Sequence, residues 1–138
     1  MENFLVPYRQ QLLSIFRIMA GLLVLQYGTA KIIGFPAVEQ FANVTVGRWP
    51  TWYAGIIELI FGALLVVGLF SRISAFILSG LMAFAYFIGH APRGMFVPLA
   101  NRGTLAILFC FAFLYLAAAG PGPWSVDAVT RGRQSRAA

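Results

Sequence analysis

The sequence predicts an all-α fold, an integral membrane four-helix bundle, and three observations predict it. Hydrophobic residues make up 60% of the chain and charged residues only 10%, against about a quarter charged in soluble domains. Four stretches run free of Asp, Glu, Lys and Arg, at 18–30, 59–71, 73–92 and 103–126. None of them alternates polar and apolar residues with a period of two, which argues against a closed barrel and leaves helices as the spanning element. A hydrocarbon layer of about 30 Å takes about 20 helical residues, so a single domain over 1–138 holds four spans and their loops.

The first helix is placed at about 11–31, extending its charge-free run to take in Arg17. The opening MENFLVPYRQQ carries Glu2, has no basic residue before Arg9 and lacks a small-x-small cleavage site, so it reads as a retained helix and not a secretory signal. An interfacial loop follows at 32–51, where Phe, Trp, Tyr and Pro with few charges suit the headgroup layer. The second helix, at about 52–71, must include Glu58 to reach spanning length. Ser71 and Arg72 leave room only for a tight helical hairpin before the third helix at about 73–90. HAPRGMFVPLANRG then has the Pro and Gly punctuation of an irregular turn. The fourth helix, at about 103–119, is stopped by GPGPWSVD, and a basic cytoplasmic tail at 128–138 is expected to fray.

Charge sets the orientation. Arg9, Arg17, Arg72, Arg131, Arg133 and Arg136 fall on one side, and Lys31, Arg48, Arg93 and Arg102 on the other. Six against four favours a multi-pass protein with both termini in the cytoplasm. The net charge of +6 would suggest nucleic acid in a soluble chain, but positive residues flanking apolar runs face lipid headgroups instead. Cys110 is the one cysteine and His90 the one histidine. Dithiol exchange, bis-histidine haem ligation within one protomer and a His-rich metal cluster are thereby removed, and no metal or intrinsic cofactor is expected.

Ionisable groups inside a span are costly enough to face the bundle interior or a wet cavity. Arg17, Gly21, Val24, Gly28 and Lys31 lie on one stripe of the first helix, and Gly55, Glu58, Gly62, Leu65, Leu69 and Arg72 on one stripe of the second. Glycine lets helices approach closely along the stripes that carry the charge. Ser79, Ala83, Tyr86 and His90 mark the third helix, and Asn101, Thr104, Leu108, Phe111 and Tyr115 the fourth, with Cys110 off the stripe as an inert apolar filler. Layered by depth, two polar clusters result. The outer one holds Gln26, Tyr27, Lys31, Glu58, Tyr86, His90, Asn101 and Thr104. Either it is a headgroup pocket, with Glu58 and His90 as catalytic candidates and Lys31, Tyr27, Gln26, Tyr86 and Asn101 binding substrate, or Glu58 is a packing group, ion-paired or neutral, and His90 an interfacial cap. The inner one gathers Arg17, Arg72, Trp124 and Asp127, and an Arg–Asp bridge fastening the Gly-Pro-Gly-Pro turn under the bundle is the expected structural role.

The pattern FRIMAGLLVLQYGTAK, the pattern E-x3-G-x2-L-x2-G followed by SR, and above all GPGPWSVD resemble the DoxX family of small bacterial membrane proteins. The likeness covers nearly the whole chain and marks Arg17, Gly21, Gly28, Lys31, Glu58, Gly62, Gly68, Arg72, Gly120, Gly122, Ser125 and Asp127. It implies a four-helix protein of the bacterial cytoplasmic (inner) membrane. The family's name comes from a quinol-oxidase or thiosulfate:quinone oxidoreductase setting, and some relatives are reported with superoxide dismutase and a sulfurtransferase in a membrane redox complex. Many members begin the last helix with a Gly-Glu pair, whereas this chain has Gly103 and Thr104. Residues and resemblance together lead to a membrane redox protein binding a quinone or a small sulfur-containing substrate, with a soluble or membrane partner supplying electrons and the bilayer or a second copy as further partners. A non-catalytic scaffold or assembly factor and a small-solute carrier are the alternatives.

Overall fold

In the computed structural model, which describes residues 3–94 and 97–137 and side chains as far as 134, the described residues form helices and no strand. Glu2 and the side chain of Arg136 lie outside that range. A 3-10 turn, Val6–Tyr8, leads into α1, Arg9–Ile32; α2 is Thr51–Val67 and α3 is Ser71–Ala85. The chain continues from α3 through a π-helical turn, Tyr86–His90, and a 3-10 turn, Ala91–Arg93. A single turn, α4, Pro98–Asn101, precedes α5, Thr104–Ala119, and α6 is Val126–Ala137.

The helices pack as two antiparallel pairs that share one core. In the first pair, Gly21 lies against Gly62 and Val66, Gly28 against Glu58 and Leu59, and Gly55 against Lys31 and Ile32. These contacts bring backbone onto backbone: a Cβ on Gly28 would sit 2.5 Å from the Leu59 amide nitrogen and 2.8 Å from its Cα. The predicted stripes of the first two helices therefore face each other. In the second pair Ser79 Oγ of α3 donates to the Cys110 carbonyl of α5 at 2.7 Å, and Phe109 stacks on Phe113 with centroids 5.4 Å apart. Val24 and Leu65 from the first pair join Leu78, Met82, Phe109, Phe113 and Leu116 from the second in one cluster of buried side chains.

The stripe on the second helix stops earlier than its spacing suggests. Gly68 takes φ +77 and closes α2 with a Schellman-type cap, its amide and that of Leu69 both reaching the Leu64 carbonyl. A side chain is strained at that φ, and the reversal carries Arg72 onto α3. The face predicted for the fourth helix needs a larger correction. Leu108, Phe111 and Tyr115 are 65%, 64% and 60% exposed, Thr104 is also exposed, and Ala106, Phe109, Phe113 and Leu116 point into the core instead. The tail expected to fray is the helix α6, whose start is capped by Ser125 Oγ accepting from the Ala128 amide at 3.1 Å.

Two helical stretches, Val6–Ile32 of 27 residues and Ser71–Arg93 of 23, are long and apolar enough to cross a membrane, and Thr51–Val67 and Thr104–Ala119 are shorter apolar helices.

Candidate functional site

Charged side chains collect at the two ends of the helical pairs, and they do different things there. At the end where α1 begins and α2 finishes, Arg17 is 1% exposed. Its Nε donates to the Leu65 carbonyl at 2.9 Å, one terminal nitrogen to Pro121, and the other to Trp124 at 2.8 Å and Val66 at 3.4 Å. Arg72 donates to the Ala117 and Ala118 carbonyls that end α5. Asp127 accepts from the Phe70 and Ser71 amides at 3.0 and 2.9 Å, at the start of α3. Among the described residues there is no Arg–Asp ion pair, so the expected bridge is replaced by capping of helix ends. Cations meet the carbonyls that finish α2 and α5, and the carboxylate meets the amides that begin α3, each where the helix dipole favours it. Trp124 takes part through its main chain, its amide also donating to Ser14 Oγ at 3.2 Å. Ser14, fully buried, escaped the sequence reading although it stands three residues before Arg17 on the same stripe.

Partial burial pushes the Asp127 carboxyl upward, but the hydrogen bonds from Ser71 and Phe70 outweigh it and, with Arg131 nearby, hold the group below its ordinary 3.8. A carboxyl depressed by folding stabilises the fold above its ordinary pKa and loses that contribution as pH falls through the lower, folded value. Thermal stability in detergent is thus expected to drop as pH is taken below about 4, and Asp127→Ala, which removes the cap, is expected to lose about 1 kcal/mol at neutral pH and to show a shallower acid drop.

The other end holds an open-mouthed cavity of about 760 Å³ between the two pairs. Lys31 and Glu58 form its charged wall. Nζ donates to both carboxylate oxygens, at 3.0 and 2.8 Å, and Glu58 is only 4% exposed. The ammonium also lies over the rings of Tyr27 and Phe41, 5.9 and 5.1 Å from their centroids, a cation–π setting that needs a loop aromatic which helical spacing could not have revealed. Opposite, His90 Nδ1 is 3.1 Å from the Asn101 carbonyl. A carbonyl can only accept, so Nδ1 carries the proton, and Nε2 is the ring nitrogen left to meet a ligand. Asn101 is buried, donates to the Tyr86 hydroxyl at 3.4 Å and accepts the Gly103 amide at 2.9 Å. Deeper in, Val24, Leu81, Met82, Ala106 and Phe109 make an apolar floor. Val24 packs opposite Gly62, four residues from Glu58 on α2, so the floor lies about 6 Å, one helical turn, below the carboxylate.

Of the residues proposed for the outer cluster, Tyr27, Lys31, Glu58, His90 and Asn101 line this cavity, and Gln26, Tyr86 and Thr104 do not. Gln26 follows Val24 by two positions, about 200° round the helix, and is exposed on the outside of α1. Tyr86 is buried behind the wall, its ring so close to Gly103 that a Cβ there would come within 2.6 Å. The wall residues unmarked by the sequence are Gln40 and Thr51, from the loop and the first residue of α2, and Arg93 and Arg102 beyond α3 and α4. The π-helical turn at Tyr86–His90, of a kind common at functional sites, had no sequence signal.

Fold and site together define an all-helical protein, two of whose helical stretches are long and apolar enough to cross a membrane, with a buried ion pair on the wall of an open-mouthed cavity. The model of the family described as DoxX matches residues 12–91, and the chain belongs to that family. An uncharacterized protein of Haemophilus influenzae is 42% identical over 127 residues, covering 91% of this chain and 95% of that protein. No solved structure matches the chain.

Proposed function

We propose that this chain is a multi-pass protein of the bacterial inner membrane, with both termini cytoplasmic, that binds a quinone beside Glu58 as part of a membrane redox system whose electrons pass through a partner protein. The observation that carries this reading is the division of one cavity into a charged wall and an apolar floor. A quinone ring needs hydrogen-bond partners at its oxygens and an apolar channel for its tail. Lys31 supplies donors, Glu58 an acceptor, and His90 Nε2, with the imidazole neutral, a second acceptor suited to a hydroxyl of the reduced ring. Val24, Leu81, Met82 and Phe109 surround the space left for the tail. A small sulfur-containing substrate would use the polar wall and leave that depth unfilled, which favours the quinone.

Glu58→Gln is expected to weaken binding of a short-chain ubiquinone by about tenfold or more, the loss of one charge-assisted hydrogen bond, as measured by equilibrium dialysis of the detergent-purified protein. His90→Phe leaves the Lys31–Glu58 pair intact and is expected to weaken binding as well. Unchanged affinity in both variants overturns the reading. One observation favours a second reading, a scaffold: Lys31 and Glu58 already satisfy each other. On that reading the native protein binds no quinone, and Glu58→Gln lowers only its thermal stability.

A further inference from the structure

A second, smaller cavity of about 400 Å³ adjoins the first and shares Gln40, Phe41, Thr51 and Arg93 with it; Asn43, Val44 and Arg48 complete its wall. Four cations belong to this end of the molecule: Lys31, Arg48, Arg93 and Arg102. Lys31 is neutralised by Glu58. The three arginines have no carboxylate partner among the described residues, and all three line one cavity or the other. Arg48 spends one nitrogen on the Asn43 carbonyl at 3.1 Å, which orients its guanidinium, and no intramolecular hydrogen bond of the Arg93 side chain is present among the described residues. Like charges scattered over a convex surface would repel each other less than charges turned into one concavity. Arg102 is held at φ +60, a left-handed conformation that costs a side-chain-bearing residue free energy.

We propose that the smaller cavity and the rim it shares with the larger one bind an oxyanion of the phosphate type, gripped by Arg48 and Arg93, with Thr51 and Asn43 as neutral partners and Arg102 adding charge from the far rim. Guanidinium forks match the paired oxygens of such a group, and an anion placed between the arginines removes their mutual repulsion. The site is separate from the quinone reading: it requires neither Glu58 nor the apolar floor. Two sources carry this chemistry, a free anion in water and the headgroup of an anionic lipid, and both reach a cavity whose wall is built from the interfacial loop.

The test measures the melting temperature of the full chain in neutral detergent, titrated with inorganic phosphate against sodium chloride of equal ionic strength, and again in nanodiscs of phosphatidylcholine with and without phosphatidylglycerol. A rise with phosphate beyond the salt control assigns the site to a free anion. A rise only with phosphatidylglycerol assigns it to a lipid headgroup. In either case Arg93→Gln is expected to raise the midpoint concentration about tenfold, as the loss of one fork predicts, Arg48→Lys to weaken it less, and Arg133→Gln, on α6, to leave it unchanged. Both arginines are exposed, so the variants are expected to melt as the native chain does without anion. No rise with either probe, or a rise that survives Arg48→Gln combined with Arg93→Gln, overturns the proposal. Failure of ubiquinone to bind overturns the quinone reading and leaves this one standing.

Discussion

Arg17→Met is expected to destabilise the protein by about 2–5 kcal/mol, because each buried carbonyl left without a donor costs about 1–3 kcal/mol, and to free the Gly-Pro-Gly-Pro turn. Methionine fills similar space, so the loss is one of bonding and not of volume. The Pro121 and Trp124 carbonyls lose their donor together, and the Leu65 carbonyl keeps only the Gly68 amide, in surroundings where an unpaired carbonyl is costly. Thermal unfolding in detergent measures the first effect, and limited proteolysis between 120 and 130 the second. Arg17→Lys is expected to fall between the two, because a point charge cannot span carbonyls that a planar fork reaches at once. A melting temperature unchanged in Arg17→Met would show that these carbonyls find other partners.

Gly28→Leu is the second large effect, about 3 kcal/mol at the upper end of overpacking. The new Cβ would meet the backbone of Glu58 and Leu59, and backbone cannot rotate away as a side chain can. α1 and α2 must separate, and because Lys31 is on the next turn of α1 the Lys31–Glu58 pair opens with them. Stability and quinone affinity are therefore expected to fall together in this variant. Gly80→Ala is the control: nothing lies within 4 Å of that position, and alanine is expected to be neutral or slightly stabilising in mid-helix. Equal melting temperatures for the two variants would mean that the α1–α2 contact is looser than its geometry indicates.

The first two helices were legible because their stripes mix charge with glycine, two residue types that a membrane helix seldom turns toward lipid. Arg17, Gly21, Gly28 and Lys31 mark a face even when everything around them is apolar. Thr104–Ala119 offers no such marker: lipid is as apolar as a core, so hydrophobic periodicity cannot say which side of that helix is inside, and the face chosen on Thr104 and Tyr115 was the outer one. The members of the inner cluster do gather at one end of the helices, yet their pairing was misjudged. Arginine and aspartate in proximity suggest a bridge, whereas unpaired carbonyls and amides at helix ends compete for the same charges and win here. The cavity was half legible. Its helical residues fall at readable spacings, while Gln40, Phe41, Arg93 and Arg102 arrive from irregular segments whose path no periodicity dictates.

The knot around Arg17 has a mechanical consequence. It ties the ends of α1, α2, α3 and α5 to one turn of chain, while the opposite end of the molecule is hollow, an arrangement like a clothes-peg gripped at its spring. Lys31 lies fourteen residues beyond Arg17 on α1, about 21 Å along the axis, so a tilt of roughly 3° about the tied end moves the jaws by about 1 Å. A tilt of that size widens the space beside Glu58 while the core contacts near the spring stay in place.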